Sequence, residues 1–246
     1  MSNWYVDAFK ADYLTCYPHR SDAAAKREAA FLRKALNAKR GALILDLCCG
    51  AGRHSRALSA AGFKVVGIDL SADLLFMGRR RPAPATSPFY LRGDMRRLPL
   101  KSESVDHVVN LFTSFGYFST DRQNEQSLLE AVRVLRPGGR LVLDFFNVTY
   151  VRKNLIAESE RDVDGECITE RRWYDAKRRR LLKTTTGCAC GKPVDRMESV
   201  RAYSPAELAT LFKRAGLRLI ARYGDLHGAK FNSKSSPRCV LIGEKA

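Results

Sequence analysis

The sequence predicts an α/β fold: a seven-stranded, mostly parallel sheet with helices on both faces, an antiparallel last strand and a small antiparallel β insertion after strand five. Three observations predict it. From residue 43 to about 146, short apolar runs alternate with amphipathic stretches, the rhythm of parallel strands joined by right-handed crossovers. From 158 to 203 no convincing helix occurs and the segment reads as three strands. Between the last two apolar runs lie only about 14 residues, rich in Gly, Ser and Asn, too few for a helical crossover.

Each element follows in order. Leu43-Ile44-Leu45-Asp46-Leu47 suits a strand buried on both faces. Gly50-Ala51-Gly52 opens a helix with Leu58 and Ala61 on one face, stopped at Gly62. Lys64 to Asp69 is the second strand. Ser71 caps the next helix, Asp73 favours its first turn, and Pro82-Ala83-Pro84 ends it. Phe89-Tyr90-Leu91 is strand three and Val105 to Leu111 strand four. A helix then runs to Leu135, with Leu128, Leu129, Val132 and Leu135 as its stripe; Pro137-Gly138-Gly139 ends it and Arg140 to Phe146 is strand five. The insertion reads as three strands, Cys167 to Tyr174, Arg180 to Thr186 and Arg196 to Tyr203, with turns at Asp175-Ala176 and Gly191-Lys192-Pro193. Ser204-Pro205-Ala206-Glu207 is a capping box with proline at the first helical position. Leu208, Leu211 and Phe212 form that helix's buried face and Gly216 its stop. Leu217 to Tyr223 and Arg238 to Glu244 are strands six and seven. The expected organisation is an N-terminal helical lid over 1–42, a core of 43–157 with 204–246, and a β insertion over 158–203, too small for an independent core.

Composition excludes several classes. Of 246 residues 45% are apolar and 28% charged, which excludes wholesale disorder. No apolar run approaches the roughly 20 residues of a membrane helix. The N-terminus lacks a basic n-region and an apolar h-region, so no secretion signal is expected. Seven cysteines without a C-x-x-C pair predict reduced thiols in a cytoplasmic setting, neither a disulfide framework nor a metal site. The net charge of +17 invites a polyanionic partner. Its densest run, Lys177-Arg178-Arg179-Arg180, falls at a hairpin turn and reads as a solvated tip.

The chemistry concentrates at the strand ends. Asp46-Leu47-Cys48-Cys49-Gly50-Ala51-Gly52 ends the first strand, and its glycines let a ligand approach the backbone in the crevice where open α/β sheets bind. Asp69 ends the second strand, 19 residues beyond Gly50, where a carboxylate can accept both hydroxyls of a ribose. Such charge-assisted bonds contribute roughly 1.5–3 kcal/mol each. Asp94, after the third strand, can accept the exocyclic amine of an adenine, with Met95 or Leu70 packing on the ring. A dinucleotide oxidoreductase competes poorly, because Ser55 stands where the third glycine of G-x-G-x-x-G belongs and no second βαβαβ unit follows.

At this point the sequence resembles the class I S-adenosylmethionine-dependent methyltransferases, which have a Rossmann-like core. The matching stretches are Ile44 to His54, Val66 to Ser71, Gly93-Asp94-Met95 and Leu135 to Gly139, in family order. Asn110 to Phe118 and the β-rich insertion look like the bacterial small-molecule type, including sugar N-methyltransferases. One departure stands out: the family often has glycine where Cys48 is. The resemblance implies S-adenosylmethionine as cofactor, with Asp46, Gly50 and Gly52 shaping the methionine pocket, Asp69 on the ribose, Asp94 on the adenine and Leu111 near the sulfonium. It also implies an N-terminal lid, here Tyr13, Tyr17, His19 and Arg20, with Arg20 toward the methionine carboxylate or at the surface.

The expected reaction is methyl transfer to N or O of a small-molecule acceptor, which requires the nucleophile in line about 3–3.5 Å from the methyl carbon. Candidate proton acceptors are His19, His54, His107, His227 and Tyr117. His107 reads as structural and His54 as packing or touching the cofactor tail. Tyr117, after strand four, is the preferred substrate contact, with Tyr17 and Arg20; packing under the lid is its other role. No base is fixed. The insertion walls an acceptor pocket or forms a homodimer contact. The alternatives are an RNA or other nucleic-acid methyltransferase, motivated by the charge, and an inactive cofactor-binding protein. The strand-four loop lacks the Asn/Asp-Pro-Pro-aromatic tetrapeptide of adenine-N6 enzymes and the cysteine of cytosine-C5 enzymes.

Overall fold

The computed structural model describes residues 3–10, 13–14, 21–82, 86–163, 165–189 and 191–246. Its main sheet has seven strands: β1 (Leu43–Leu47), β2 (Lys64–Asp69), β3 (Phe89–Arg92), β4 (Val105–Asn110), β5 (Leu135–Phe146), β10 (Leu217–Tyr223) and β11 (Arg238–Lys245). Their order is β10-β11-β5-β4-β1-β2-β3, and β11 alone runs antiparallel. The expected fold class is the observed one. The order reverses at β1, flanked by β2 and β4, so the crevice at its carboxyl end is where a ligand belongs.

The apolar runs alternate between two cores. Leu45 and Leu47 of β1 point into one, with Leu128 and Ala131 of α5 (Asp121–Val134) and Leu208 and Phe212 of α7 (Pro205–Arg214). Ile44 points into the other, with Leu58 of α3 (Arg53–Ala60) and Leu32 and Leu36 of α2 (Asp22–Leu36). Ser21 caps α2, Ser71 caps α4 (Ala72–Arg79), and the Ser204–Glu207 capping box is made in full. Two short helices, α1 (Trp4–Asp7) and α6 (Val148–Lys153), complete the helical set, and no described helix is long and apolar enough to cross a membrane.

The insertion differs from its sequence reading in two ways. It has four strands, in the order β6-β7-β8-β9: β6 (Glu158–Val163), β7 (Glu166–Asp175), β8 (Arg180–Ala189) and β9 (Lys192–Arg201). The extra strand, Glu158 to Val163, is polar at all but its last position, so it shows no buried face; it forms by edge pairing with β7. The last strand begins at Lys192 instead of Arg196 and contains Pro193, which an edge strand tolerates because its missing N–H costs no interior ladder bond. The basic run is a solvated tip at Lys177, Arg178 and Arg179, which are exposed, but not at Arg180. Arg178 pairs with Asp175, Arg179 pairs with Glu207, and Arg180 turns inward, only 5% exposed.

Candidate active site

Three carboxylates at successive strand ends line one cavity of about 400 Å³. Asp46, at the end of β1, is buried and accepts the Ser55 hydroxyl at 2.6 Å; burial pushes its carboxyl above the ordinary aspartate value. Ser55 is the residue that breaks the dinucleotide glycine pattern, and here it serves as a donor. Asp69, ending β2, accepts the Gly50 amide on Oδ2 at 2.7 Å and the Ser71 amide on Oδ1 at 2.8 Å. Burial raises its carboxyl too, with Asp46 adding to the rise. Asp94 is different. Burial alone would raise it, but the Arg96 guanidinium, at 2.6 Å from Oδ2, and the Arg96 amide hold it below the usual range.

The neighbouring thiols report the same convergence. Burial pushes Cys48 well up, and the charges of Asp69, Asp46 and Asp94 push it further; Cys49 is raised by burial and by Asp46 and Asp69.

The glycine turn divides its labour. Gly50 lines the cavity at φ +56°, and the nearest atom to an added Cβ would be 3.8 Å away. Gly52 does not line it. An added Cβ there would sit 1.9 Å from the Tyr90 hydroxyl, so this glycine makes room for a packed side chain instead of a ligand. Cys48 adopts φ +62°, a conformation that glycine holds without strain, which accounts for the family's preference at this position. Leu70, Met95 and Leu111 supply apolar wall, with Leu74 beneath.

The far wall comes from the N-terminus and the loop after β4. Phe9 stacks on Tyr117 at 5.7 Å and 16°, Trp4 meets Tyr117 at 4.9 Å, Phe9 meets Tyr13 at 4.9 Å, and Tyr5 meets Phe118 edge-on at 5.3 Å. The Ser71 hydroxyl donates to the Phe9 carbonyl and ties this cover to the α4 cap. Tyr117 therefore both lines the cavity and packs under the cover. Phe112 and Thr113 take φ +55° and +62°, and Asp144 holds them there: its Oδ2 accepts the Phe112 amide and its carbonyl the Thr113 amide.

Helix α2 and its cap are fastened to the start of α3 by polar contacts that include an Arg53–Glu28 ion pair at 3.6 Å. Glu28 meets His54 Nε2 at 2.6 Å, Asp22 accepts from Arg56 at 2.9 Å, and the Ser21 carbonyl accepts from Arg53 at 3.4 Å. The Arg53 guanidinium lies 4.6 Å over the Phe112 ring and the His54 ring is 5.3 Å from it.

Of the residues singled out from sequence, Asp46, Gly50, Asp69, Leu70, Asp94, Met95, Leu111, Tyr117, Tyr13 and His54 are brought together around the cavity. Tyr17, His19 and Arg20 lie outside the described residues. His107 accepts the Arg140 amide within the sheet, and His227 is exposed. Sequence reasoning missed Tyr5, Phe9, Phe112, Glu28 and Asp144. The four-residue spacing of Tyr5, Phe9 and Tyr13 carried a signal for the cover; nothing local marked the others.

With this geometry in view, residues 44–139 match the family profile of the methyltransferase domain. A demethylmenaquinone methyltransferase of Clavibacter sepedonicus is 39% identical over 107 residues, 44% of this chain and 42% of that protein. The chain thus spans less than half the length of the curated relative it matches. The CcbJ methyltransferase from Streptomyces caelestis superposes at a TM-score of 0.82 with 20% identity, covering 100% of both chains. CalS10, an amino pentose methyltransferase from Micromonospora echinaspora with bound S-adenosylmethionine, superposes at 0.67 with 20% identity over 95% of this chain and 96% of that one. The fold is that of the class I methyltransferases. The domain match covers less than half of the chain, and S-adenosylmethionine is the cofactor bound in the CalS10 structure.

The residues present fit that cofactor. An adenosyl group needs a diol acceptor, an amine acceptor and an apolar slot, and Asp69, Asp94 and the Leu70–Met95 pair face one hollow in that order. Asp69 already bridges Gly50 and Ser71, so its carboxylate is held rigid while remaining at the cavity wall.

Proposed function

We propose that this protein transfers a methyl group from S-adenosylmethionine to a nitrogen or oxygen of a small-molecule acceptor. The observation that carries the reading is the single cavity shared by three strand-end carboxylates and an aromatic cover. Asp69 accepts the ribose hydroxyls, Asp94 the adenine amine with Arg96 setting its angle, and Leu70 and Met95 flank the ring. Asp46 and Gly50 border the methionine portion. The cofactor supplies an already activated sulfonium methyl; the chain positions the acceptor and keeps water out.

Leu111, Phe112 and Tyr117 form the acceptor side, closed by Tyr5, Phe9 and Tyr13. An enclosed aromatic wall favours a compact acceptor over a duplex or folded RNA. Of the arginines that line the cavity, Arg53 is engaged with Glu28 and Arg56 with Asp22, while Arg81 is exposed at its rim. The amino pentose methyltransferase neighbour supports an amine among the acceptors. Tyr5, Phe9 and Tyr13 serve as the cover, and the 158–203 insertion backs the acceptor side through the Gly116–Phe118 loop. A cytoplasmic setting fits the unbridged Cys48, Cys49, Cys167 and Cys239.

The test is transfer of labelled methyl from S-adenosylmethionine across a library of small amines and alcohols, with bulk tRNA as a parallel arm. Turnover on a library member supports the reading. Transfer confined to tRNA, or no transfer with any acceptor, contradicts it.

A further inference from the structure

Arg180 opens β8 in the insertion, yet its side chain is spent on the loop after β4. Its Nη1 donates to the Phe118 carbonyl at 3.0 Å, and its Nη2 to the carbonyls of Tyr117 at 3.2 Å and Gly116 at 3.3 Å. It is anchored on its own sheet by Ser199, whose carbonyl accepts from Nη2 at 2.6 Å and whose hydroxyl accepts from Nε at 2.7 Å. Among the described residues no carboxylate pairs with it, so carbonyl dipoles solvate this buried cation. Such an arrangement is costly unless every donor is used, and only a guanidinium has the forked donors to reach three successive carbonyls.

The three carbonyls belong to the residues that bear the far wall of the site. Tyr117 stacks on Phe9 and meets Trp4; Phe118 meets Tyr5 and lies 4.4 Å under the Arg96 guanidinium, which grips Asp94. Gly116 is held from the same sheet by the Arg201 amide at 2.8 Å. The insertion thus has a rigid, buried connection to the cavity wall.

We propose that Arg180 is a positioning residue for the acceptor side of the site: it fixes the Gly116–Phe118 loop, and through that loop the Tyr117 ring and the Trp4–Phe9 cover. The proposal rests on the cavity being the transfer site, and it gives the insertion a part in shaping the acceptor pocket. Replacing Arg180 loosens the cover without removing the strand-end carboxylates that hold the cofactor.

The test uses the full chain carrying Trp173→Phe, which leaves Trp4 as the only tryptophan. Acrylamide quenching of Trp4 reads seating of the cover, and calorimetry with S-adenosylhomocysteine reads the cofactor half separately. Circular dichroism melts check folding. In Arg180→Met the quenching constant should rise about fourfold, and in Arg180→Lys about twofold, because an ammonium replaces only part of the fork. Affinity for S-adenosylhomocysteine should stay within about threefold of the parent. If Arg180→Met does not fold, Arg180→Lys decides on the same scale. Quenching equal to the parent in the folded variants overturns the proposal. Absence of S-adenosylhomocysteine binding in the parent overturns the cofactor reading instead, whatever the quenching shows.

Discussion

Asp144 and Arg238, from adjacent antiparallel strands, form an ion pair of 2.7 Å that sits behind the loop after β4. Asp144 is fully buried; its other oxygen accepts the Phe112 amide at 2.8 Å, and Arg238 also donates to the Thr113 hydroxyl at 3.0 Å. Two successive non-glycine residues are held with positive φ by this pair, a conformation costing about 1–3 kcal/mol per residue unless surrounding bonds impose it.

Asp144→Ala should therefore destabilise the protein by about 3 kcal/mol, by orphaning Arg238 and freeing the Phe112 turn. Chemical denaturation measures the loss. Arg238→Ala should cost less, about 1–2 kcal/mol, since Thr113 and the half-exposed side of the pair can be hydrated. Equal stability of Asp144→Ala and the native chain would contradict the role given to this pair.

The two glycines of the turn should separate on substitution. Gly52→Ala drives a Cβ into Tyr90 and should destabilise the fold by about 3 kcal/mol or more, with partial rescue by Tyr90→Leu. Gly50→Ala meets no protein atom closer than 3.8 Å and should cost about 1 kcal/mol for its left-handed backbone. Its larger effect should be on ligand affinity, because the added methyl stands at the cavity wall. Thermal melts and calorimetry on the two variants distinguish these outcomes.

How much of this was legible in the sequence depends on what burial leaves behind. Strands β1, β2, β4 and β11 are largely buried and carry short apolar runs, such as Leu43-Ile44-Leu45, Val65-Val66, Val108-Val109 and Val240-Leu241-Ile242. Asp69 was legible because helix capping had a better candidate in Ser71, which left the carboxylate unexplained. Strand β6 was not legible, because Glu158 to Val163 buries almost nothing and owes its form to a neighbour. Arg180 was hidden for the opposite reason: it sits in a run of four basic residues, and only the turn geometry decides which one points inward. Glu28 was hidden in a helix whose other charges all face water.

Glu28 carries a pH signature. Burial alone would raise its carboxyl, but the His54 bond and charge, with Arg53 and His227 nearby, pull it below the ordinary value of 4.5. A carboxyl lowered by folding contributes stability that is fully present above the unfolded value and lost as pH falls through the folded one. The stability difference between the native chain and Glu28→Ala should thus be about 2–3 kcal/mol at pH 6–7 and shrink below pH 4.5. A difference that grows on acidification would contradict the assignment.

The central claim, that strand-end carboxylates converge on one adenosyl group, is tested most directly by calorimetric titration of S-adenosylhomocysteine into the native chain and Asp69→Ala. A single site with Kd of about 1–50 μM is expected for the native chain, weakened roughly 30- to 100-fold in the variant by loss of charge-assisted bonds to the ribose. Because burial raises the Asp69 carboxyl and the ribose needs it ionised, native affinity should fall with acidification, starting above the ordinary aspartate range. No heat of binding at millimolar ligand, or equal affinity in Asp69→Ala, would contradict the claim.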